Sequence, residues 1–361
     1  MPKPNFKINN FDLIRFFAAL QVAFIHTKTH LDIDNSSTLF NIIVFVLDLF
    51  PGVPIFFFVS GYLISKSFEH SSNLKEYTKN RTFRIFPALL ICNIVGISFV
   101  YMTGYFNTIT FTWNEFLIWF AGQSSIVQFY NPEFMRDFGV GVLNGSLWTI
   151  SVELQFYVLT PILYFLFSIF GRLLNSNTLL IILILLFMII NIVYHHYRSV
   201  YENIFILKLI GVSFLPWFYM FLTGVFFQKN FSKLQTYFTN KAIYLLPLYI
   251  IVTYFSKHIL GFSTGNTINP FNFILLSILV FTIAYSFYNL SDKLLNKNDI
   301  SYGVYIYHML FVNLFVFYGY TNEISFVFMV IFLTILSGIL SWLIIEKPIL
   351  KSKKESIHKI K

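Results

Sequence analysis

The feature that most constrains this chain is a succession of long apolar stretches, near 11–30, 41–65, 85–104, 147–170, 178–196, 204–228, 242–260, 271–290, 301–320 and 324–345. Each approaches or exceeds the roughly 20 residues that a helix needs to cross a hydrocarbon core. Composition agrees: 57% of the residues are hydrophobic, 20% aromatic and 11% charged, whereas a soluble domain is about 25% charged. The expected fold is all-α, a polytopic membrane helix bundle of about ten transmembrane helices. No polar segment is long enough for a separate soluble core of about 50 residues, so residues 1–361 are read as one membrane domain with spans over about 11–346 and a short basic tail, 347–361. A shorter apolar piece from Trp113, "WNEFLIWFAGQSSI", reads as interfacial or re-entrant. The first stretch carries charge and is followed by no small-x-small cleavage site, so it is expected to stay as a helix. The single cysteine, Cys92, excludes a disulfide framework and a thiolate metal site.

Charge gives the orientation. With the N-terminus inside, 20 of the 25 Lys and Arg residues fall on the inner side, leaving Lys28, Arg136, Arg198, Lys208 and Lys257 outside. Such an asymmetry is the positive-inside pattern, so both termini are expected to be cytoplasmic. The net charge of +9 then reports topology and contact with anionic lipids rather than nucleic acid. The longest outer loop, from about Tyr105 to Ser146, is long enough to help shape an outward-facing site.

The first stretch, "NNFDLIRFFAALQVAFIHTKTHL", contains Asp12, Arg15, His26 and His30. Arg15 and His26 are eleven residues apart, close to three turns and about 16 Å of rise, so they share one helix face. Ala19 and Val22 between them leave room for another helix or a thin ligand chain. Asp12 with Arg15 also reads as a snorkelling pair at the inner end. An ionisable group inside a span is costly and marks a functional candidate, and His26 fits that description; an interhelical hydrogen bond is its structural alternative. Asp48 and Glu153 fall about two turns from the outer ends of their spans, near the expected level of His26. A carboxylate on one ring nitrogen would leave the other as a base, so the catalytic candidates are His26, Glu153 and Asp48. Ser60, before Gly61, reads as part of a close helix approach.

The inner loop "SKSFEHSSNLKEYTKNRTFRIFPALL" brings together Lys75, Lys79, Arg81 and Arg84. Guanidinium forks match phosphate oxygens, although basic residues at this place also serve orientation and lipid headgroups. No Gly-rich phosphate cradle and no His-Glu-x-x-His metal spacing is present, and no metal is expected. His308, in the Tyr-rich "SYGVYIYHML", joins the candidates with structural packing as its alternative.

Six segments in order, "FDLIRFFAALQVAFIH", "PGVPIFFFVSGYLI", "RTFRIFP", "SLWTISVELQFY", "SYGVYIYH" and "IEKP", resemble the acyltransferase-3 family of integral membrane acyltransferases. Ile14 and Phe16 stand where members often have glycine. The resemblance implies transfer of an acetyl or other short acyl group from acetyl-CoA to a hydroxyl of a cell-surface carbohydrate: O-antigen, capsule, exopolysaccharide or a peptidoglycan sugar, free or lipid-linked. It implies that His26 with Arg15 forms the essential Arg-x10-His motif, that Arg81 and Arg84 handle acyl-CoA, and that Glu153 matches the glutamate of the "SVE" segment. Lys75, Lys79, Arg15 and His308 complete the expected donor site. Some members append an esterase-like domain; none is expected after Pro348. The implied place is the bacterial inner membrane, with lipid contacts and either a single copy or a homo-oligomer. A transporter or flippase for a lipid-linked glycan, using intramembrane charges as a relay, is the alternative reading.

Overall fold

A computed structural model describes residues 9–33, 37–171, 173–201 and 203–358, of which 353–358 are described as backbone only. Lys3, Lys7, Arg172, Lys359 and Lys361, counted above among inner-side charges, lie outside the described residues, as do the side chains of Lys353 and Lys354. The regular structure among the described residues is entirely helical. In chain order it comprises α1 (Phe11–His30), α2 (Thr38–Leu49), α3 (Gly52–Glu69), α4 (Leu74–Met102), α5 (Trp113–Gln123), α6 (Trp148–Phe170), α7 (Ser176–Val200) and α8 (Phe205–Gly211). It continues with α9 (Phe218–Lys229), α10 (Phe231–Phe238), α11 (Ala242–Leu260), α12 (Pro270–Ala284), α13 (Leu290–Leu295), α14 (Ser301–Phe317), α15 (Ile324–Ser341) and α16 (Lys347–His358).

Six helical stretches among the described residues are long and apolar enough to cross a membrane: Thr38–Glu69, Leu74–Met102, Gly145–Phe170, Ser176–Val200, Ala242–Leu260 and Ile324–Ser352. This is the pattern of a multi-pass membrane protein. The other four expected segments differ from uniform spans for visible reasons. α1 is helical throughout but carries Asp12, Arg15 and Lys28. α12 and α14 are apolar but shorter. The segment 204–228 is not one helix: it breaks between α8 and α9. There the Gln155 side chain from α6 donates to the Val212 carbonyl at 3.0 Å and accepts from the Phe214 N–H at 2.9 Å. Asn191 caps the Pro216 carbonyl at 2.9 Å. Freed backbone groups inside an apolar region must be met in this way. The expected span 41–65 is also interrupted. Pro51 has no N–H to continue the ladder, and the Leu49 carbonyl freed at the end of α2 accepts the hydroxyl of Tyr249.

The chain packs as two compact units, and several helices contribute to both. The first consists of Met1–Ala18, Phe45–Tyr77 and Val152–Asn298. Its centre is the approach of α3 to α9, set by two glycines. A Cβ at Gly61 would strike the Phe221 carbonyl, and one at Gly224 would strike the Phe58 carbonyl. Without a strong hydrophobic drive between helices in lipid, such close backbone contact is the main source of attraction. Phe57, Phe156, Phe218 and Phe221 pack around it as an aromatic cluster, with Phe156 and Phe221 centroids 4.8 Å apart. Asn10, just before α1, ties the start of the chain to this unit: its side chain donates to the Ser286 carbonyl at 2.6 Å and accepts from the Ser291 N–H at 2.9 Å.

The second unit consists of Ala19–Val44, Thr78–Ser151 and Asp299–Lys361. α14 is buried along nearly its whole length. It approaches α15 through Gly303 and Gly338, where a Cβ at Gly303 would come within 2.9 Å of the Gly338 Cα. The segment before α6 is stitched onto α14 by asparagines. Asn144 donates to the Ile306 carbonyl at 2.6 Å, and Asn313 donates to the Leu143 carbonyl at 3.0 Å and accepts from the Val140 N–H at 2.8 Å. At the other end of α14, Arg84 of α4 meets two carboxylates: Asp299 at 2.5 Å and Glu346 at 3.3 Å. Their side chains are 17%, 14% and 2% exposed. Ser301 donates to Asp299 at 2.5 Å and Ser341 to Glu346 at 3.1 Å. Glu346 ends a π turn, Trp342–Glu346, between α15 and α16.

Two outcomes follow for stability. Gly61→Val or Gly224→Val forces α3 from α9 and is expected to cost at least the 1–3 kcal/mol typical of overpacking, roughly; a thermal melt of the detergent-solubilised protein equal to wild type would refute the close contact. Arg84→Ala leaves Asp299 and Glu346 without their shared cation and is expected to cost on the order of 3 kcal/mol. Arg84→Lys should recover only part of this, because an ammonium lacks the fork that serves two carboxylates; the same melt distinguishes the three proteins.

Candidate active site

The second half of α1 and the middle of α14, both in the second unit, bring together two histidines of the expected set. His26 Nδ1 lies 3.0 Å from His308 Nε2, with ring centroids 5.2 Å apart and planes inclined by 37°. Side chains on a helix lean back over the preceding turn. His308 accordingly turns its other nitrogen, Nδ1, to the carbonyl of Tyr305 at 2.6 Å. The Tyr305 hydroxyl is itself held by Thr149 Oγ1 at 2.6 Å and donates to the Ser146 carbonyl at 3.1 Å. His308 is fully buried, and His26 is half-buried with His30 edge-on at 5.9 Å. The Nδ1 partner of His26 is therefore a second imidazole, where the spacing of the sequence suggested a carboxylate. His308, expected beside the acyl donor, has both ring nitrogens engaged within the unit.

The two expected carboxylates lie in the first unit, each with other partners. Glu153 Oε1 accepts from Ser60 Oγ and from Tyr157 OH, both at 2.8 Å. Ser60 thus does more than permit helix packing: it fixes the orientation of this carboxylate. Asp48, in the last turn of α2, pairs with Lys257 at 2.9 Å and accepts from Thr264 at 2.5 Å. Both side chains of that ion pair are about one third exposed, 33% and 34%. Asp48 is placed to close the α2 end against Lys257 of α11 rather than to orient an imidazole. Asp12 and Arg15 are half-buried on the first turns of α1.

Apart from Arg15, the basic candidates lie on α4. Lys75 and Lys79 are exposed, and Arg81 and Arg84 are half-buried. The guanidinium of Arg84 is taken up by Asp299 and Glu346. Sequence reading missed both carboxylates. Glu346 sits in the "IEKP" segment at the end of a strongly apolar run, and a carboxylate there requires a cation; that requirement was the available signal. An apolar groove of about 380 Å³, lined by Tyr101, Met102, Phe106, Phe111, Trp113 and Phe116 among others, is separate from these groups: none of the expected site residues lines it.

Comparison with known proteins accords with the ordered segments. The model of the acyltransferase domain family matches residues 8–346. The chain is 28% identical over 356 residues to nodulation protein 10 of Rhizobium leguminosarum bv. viciae, covering 95% of this chain and 93% of that protein. It is 27% identical over 320 residues to the O-acetyl transferase of Shigella phage Sf6, covering 83% and 84%. No solved structure matches. A family match that takes in α1 with its histidine, the α4 arginines, the Glu153 segment and α14 to Glu346 leaves a single assignment: the chain belongs to the acyltransferase-3 family of membrane acyltransferases.

Proposed function

We propose that this protein moves an acetyl or other short acyl group from cytoplasmic acyl-CoA to a hydroxyl of a cell-surface carbohydrate, free or lipid-linked, in the bacterial cytoplasmic membrane. The observation that carries the reading is the His26–His308 contact inside a helical membrane protein of an acyltransferase family. The relative named as an O-acetyl transferase supports the acetyl group and the oxygen acceptor. The positive-inside distribution of charge supports a topology of about ten passes with both termini in the cytoplasm.

In this reading His26 is the general base. A sugar O–H gives its proton to the imidazole, the oxygen attacks the thioester carbonyl carbon, the C–S bond breaks, and CoA leaves as thiolate to be protonated. A neutral imidazole is suited to this role because the ring nitrogen without a hydrogen keeps a lone pair that can take the hydroxyl proton. Transfer through an acetyl-imidazole on the same ring, which then passes the acetyl group to the sugar, uses the same residue in two steps. Arg81, Lys75 and Lys79 are proposed to hold the phosphates of CoA, since two of the three are exposed and cationic on the cytoplasmic end of α4. Arg84 is assigned to the carboxylate clamp instead. Glu153 and Arg15 are proposed to keep the roles that the family resemblance implies for them, and Asp48 to be structural. No metal takes part in this scheme.

Two measurements test the reading. Membranes carrying the wild-type protein, given radiolabelled acetyl-CoA and surface glycan from the host, are expected to place label in base-labile esters, and His26→Ala to lower that rate by about 100-fold or more. Undiminished transfer by His26→Ala at equal expression would remove the histidine from the mechanism; no use of acetyl-CoA by intact wild type would favour a glycan transporter. Arg81→Ala, alone and with Lys75→Ala and Lys79→Ala, is expected to raise KM for acetyl-CoA with little change in kcat. An unchanged KM in the triple variant would place the donor elsewhere.

A further inference from the structure

The hydrogen bonds around the two histidines have a direction, and it follows from which atoms carry protons. The Tyr305 carbonyl can only accept, so the His308 nitrogen 2.6 Å from it, Nδ1, carries a hydrogen. His308 is fully buried, and its two nitrogens meet a carbonyl and an imidazole, neither of them anionic. A positive ring there would be unmatched, which is costly in an apolar interior. The ring is therefore neutral, and its Nε2 has a lone pair. His26 Nδ1, 3.0 Å away, must then be the donor. A neutral imidazole has one N–H. His26 Nε2 is left bare.

We propose that His308 is a positioning residue that holds His26 as the Nδ1–H tautomer, so that Nε2 is the nitrogen that takes the acceptor's proton. The inference rests on the acyltransferase reading for its kinetic consequence, but the tautomer itself is a property of the protein. The order runs from the Tyr305 carbonyl through His308 to His26, with no carboxylate in it. A histidine freed from such a bond distributes its proton over both nitrogens, and the Nε2–H form is inactive as a base at that atom. The acceptor that starts the order is a backbone carbonyl within α14, and the Tyr305 side chain is held in turn by Ser146 and Thr149. The requirement on residue 308 is narrow: an acceptor at the place of Nε2, in a side chain of similar reach.

The test uses the full chain in detergent or nanodiscs with His308→Gln and His308→Leu. The glutamine carbonyl oxygen reaches the place of Nε2 and can accept from His26; leucine fills the space without accepting. Histidine labelled with 15N gives two-bond nitrogen–proton correlations that separate the tautomers, and the His26 signal is the one lost in His26→Ala. The expected result is Nδ1–H at His26 in the wild type and His308→Gln, and a mixture or Nε2–H in His308→Leu. In acetyl transfer, His308→Leu is expected to lose kcat by roughly 100-fold with KM for acetyl-CoA unchanged, while His308→Gln stays within about tenfold of wild type. A wild-type His26 protonated at Nε2, or a His308→Leu protein with wild-type kcat, overturns the proposal while leaving the transferase reading intact. Absence of acetyl transfer by wild type overturns that reading, and the spectrum still decides the tautomer. If His308→Leu melts at a lower temperature, His308→Gln and the wild-type spectrum decide alone.

Discussion

In a hydrocarbon setting a polar group without a partner costs several kcal/mol, roughly, and the irregular features of this protein follow from that cost. Helices satisfy their own backbone, so trouble arises only where a helix stops inside an apolar region or carries a polar side chain. Where α8 gives way to α9, Gln155 and Asn191 take over the backbone groups that the break exposes. Where α2 ends at Pro51, Tyr249 meets the Leu49 carbonyl. The glutamine and tyrosine are fixed by these duties.

The same cost governs the charged and titratable groups. Arg84 would be expensive in the second unit without Asp299 and Glu346, and Glu346, 2% exposed, would be more so without Arg84. Each makes the other tolerable. The histidine pair is a weaker version of the same solution: two imidazoles and a helix carbonyl share two hydrogens, and no net charge is placed in the interior. That economy is also what would make such a pair useful in proton transfer, because a neutral ring keeps one lone pair available.

Much of the architecture was legible in the residues. The long apolar runs mark α6, α7, α11 and α15 within a few residues and the apolar part of α4, whose helix begins eleven residues before the run, because a run of about 20 apolar residues has few stable alternatives in lipid. The breaks were not legible in the same way. Read as composition, the segment 204–228 is almost uniformly apolar, and its interruption depends on Gln155, which is 57 residues from Val212 and 59 from Phe214 along the chain. His26 stood out as an ionisable residue in a helix, and the ordered segments pointed to the family. The partner of His26 did not stand out: depth pointed to Asp48 and Glu153, while His308 was assigned to the donor site, and depth says nothing about which helices pack side by side.

By itself, then, the sequence determined that the chain is helical and membrane-spanning, that its first helix carries a histidine worth explaining, and that its ordered segments resemble one family. These are local or one-dimensional properties: hydropathy over a window, helical spacing, the order of short motifs. Tertiary structure alone decided that the His26 ring meets His308, that Glu153 is held by Ser60 and Tyr157, that Asp48 pairs with Lys257, and that Arg84 is shared by two carboxylates. The reason is physical. A polar group in an apolar medium must be paired, but which of several chemically suitable partners it takes depends on helix packing, and that packing is set by backbone approaches such as Gly61 with Phe221 and Gly303 with Gly338, whose partners no local pattern encodes.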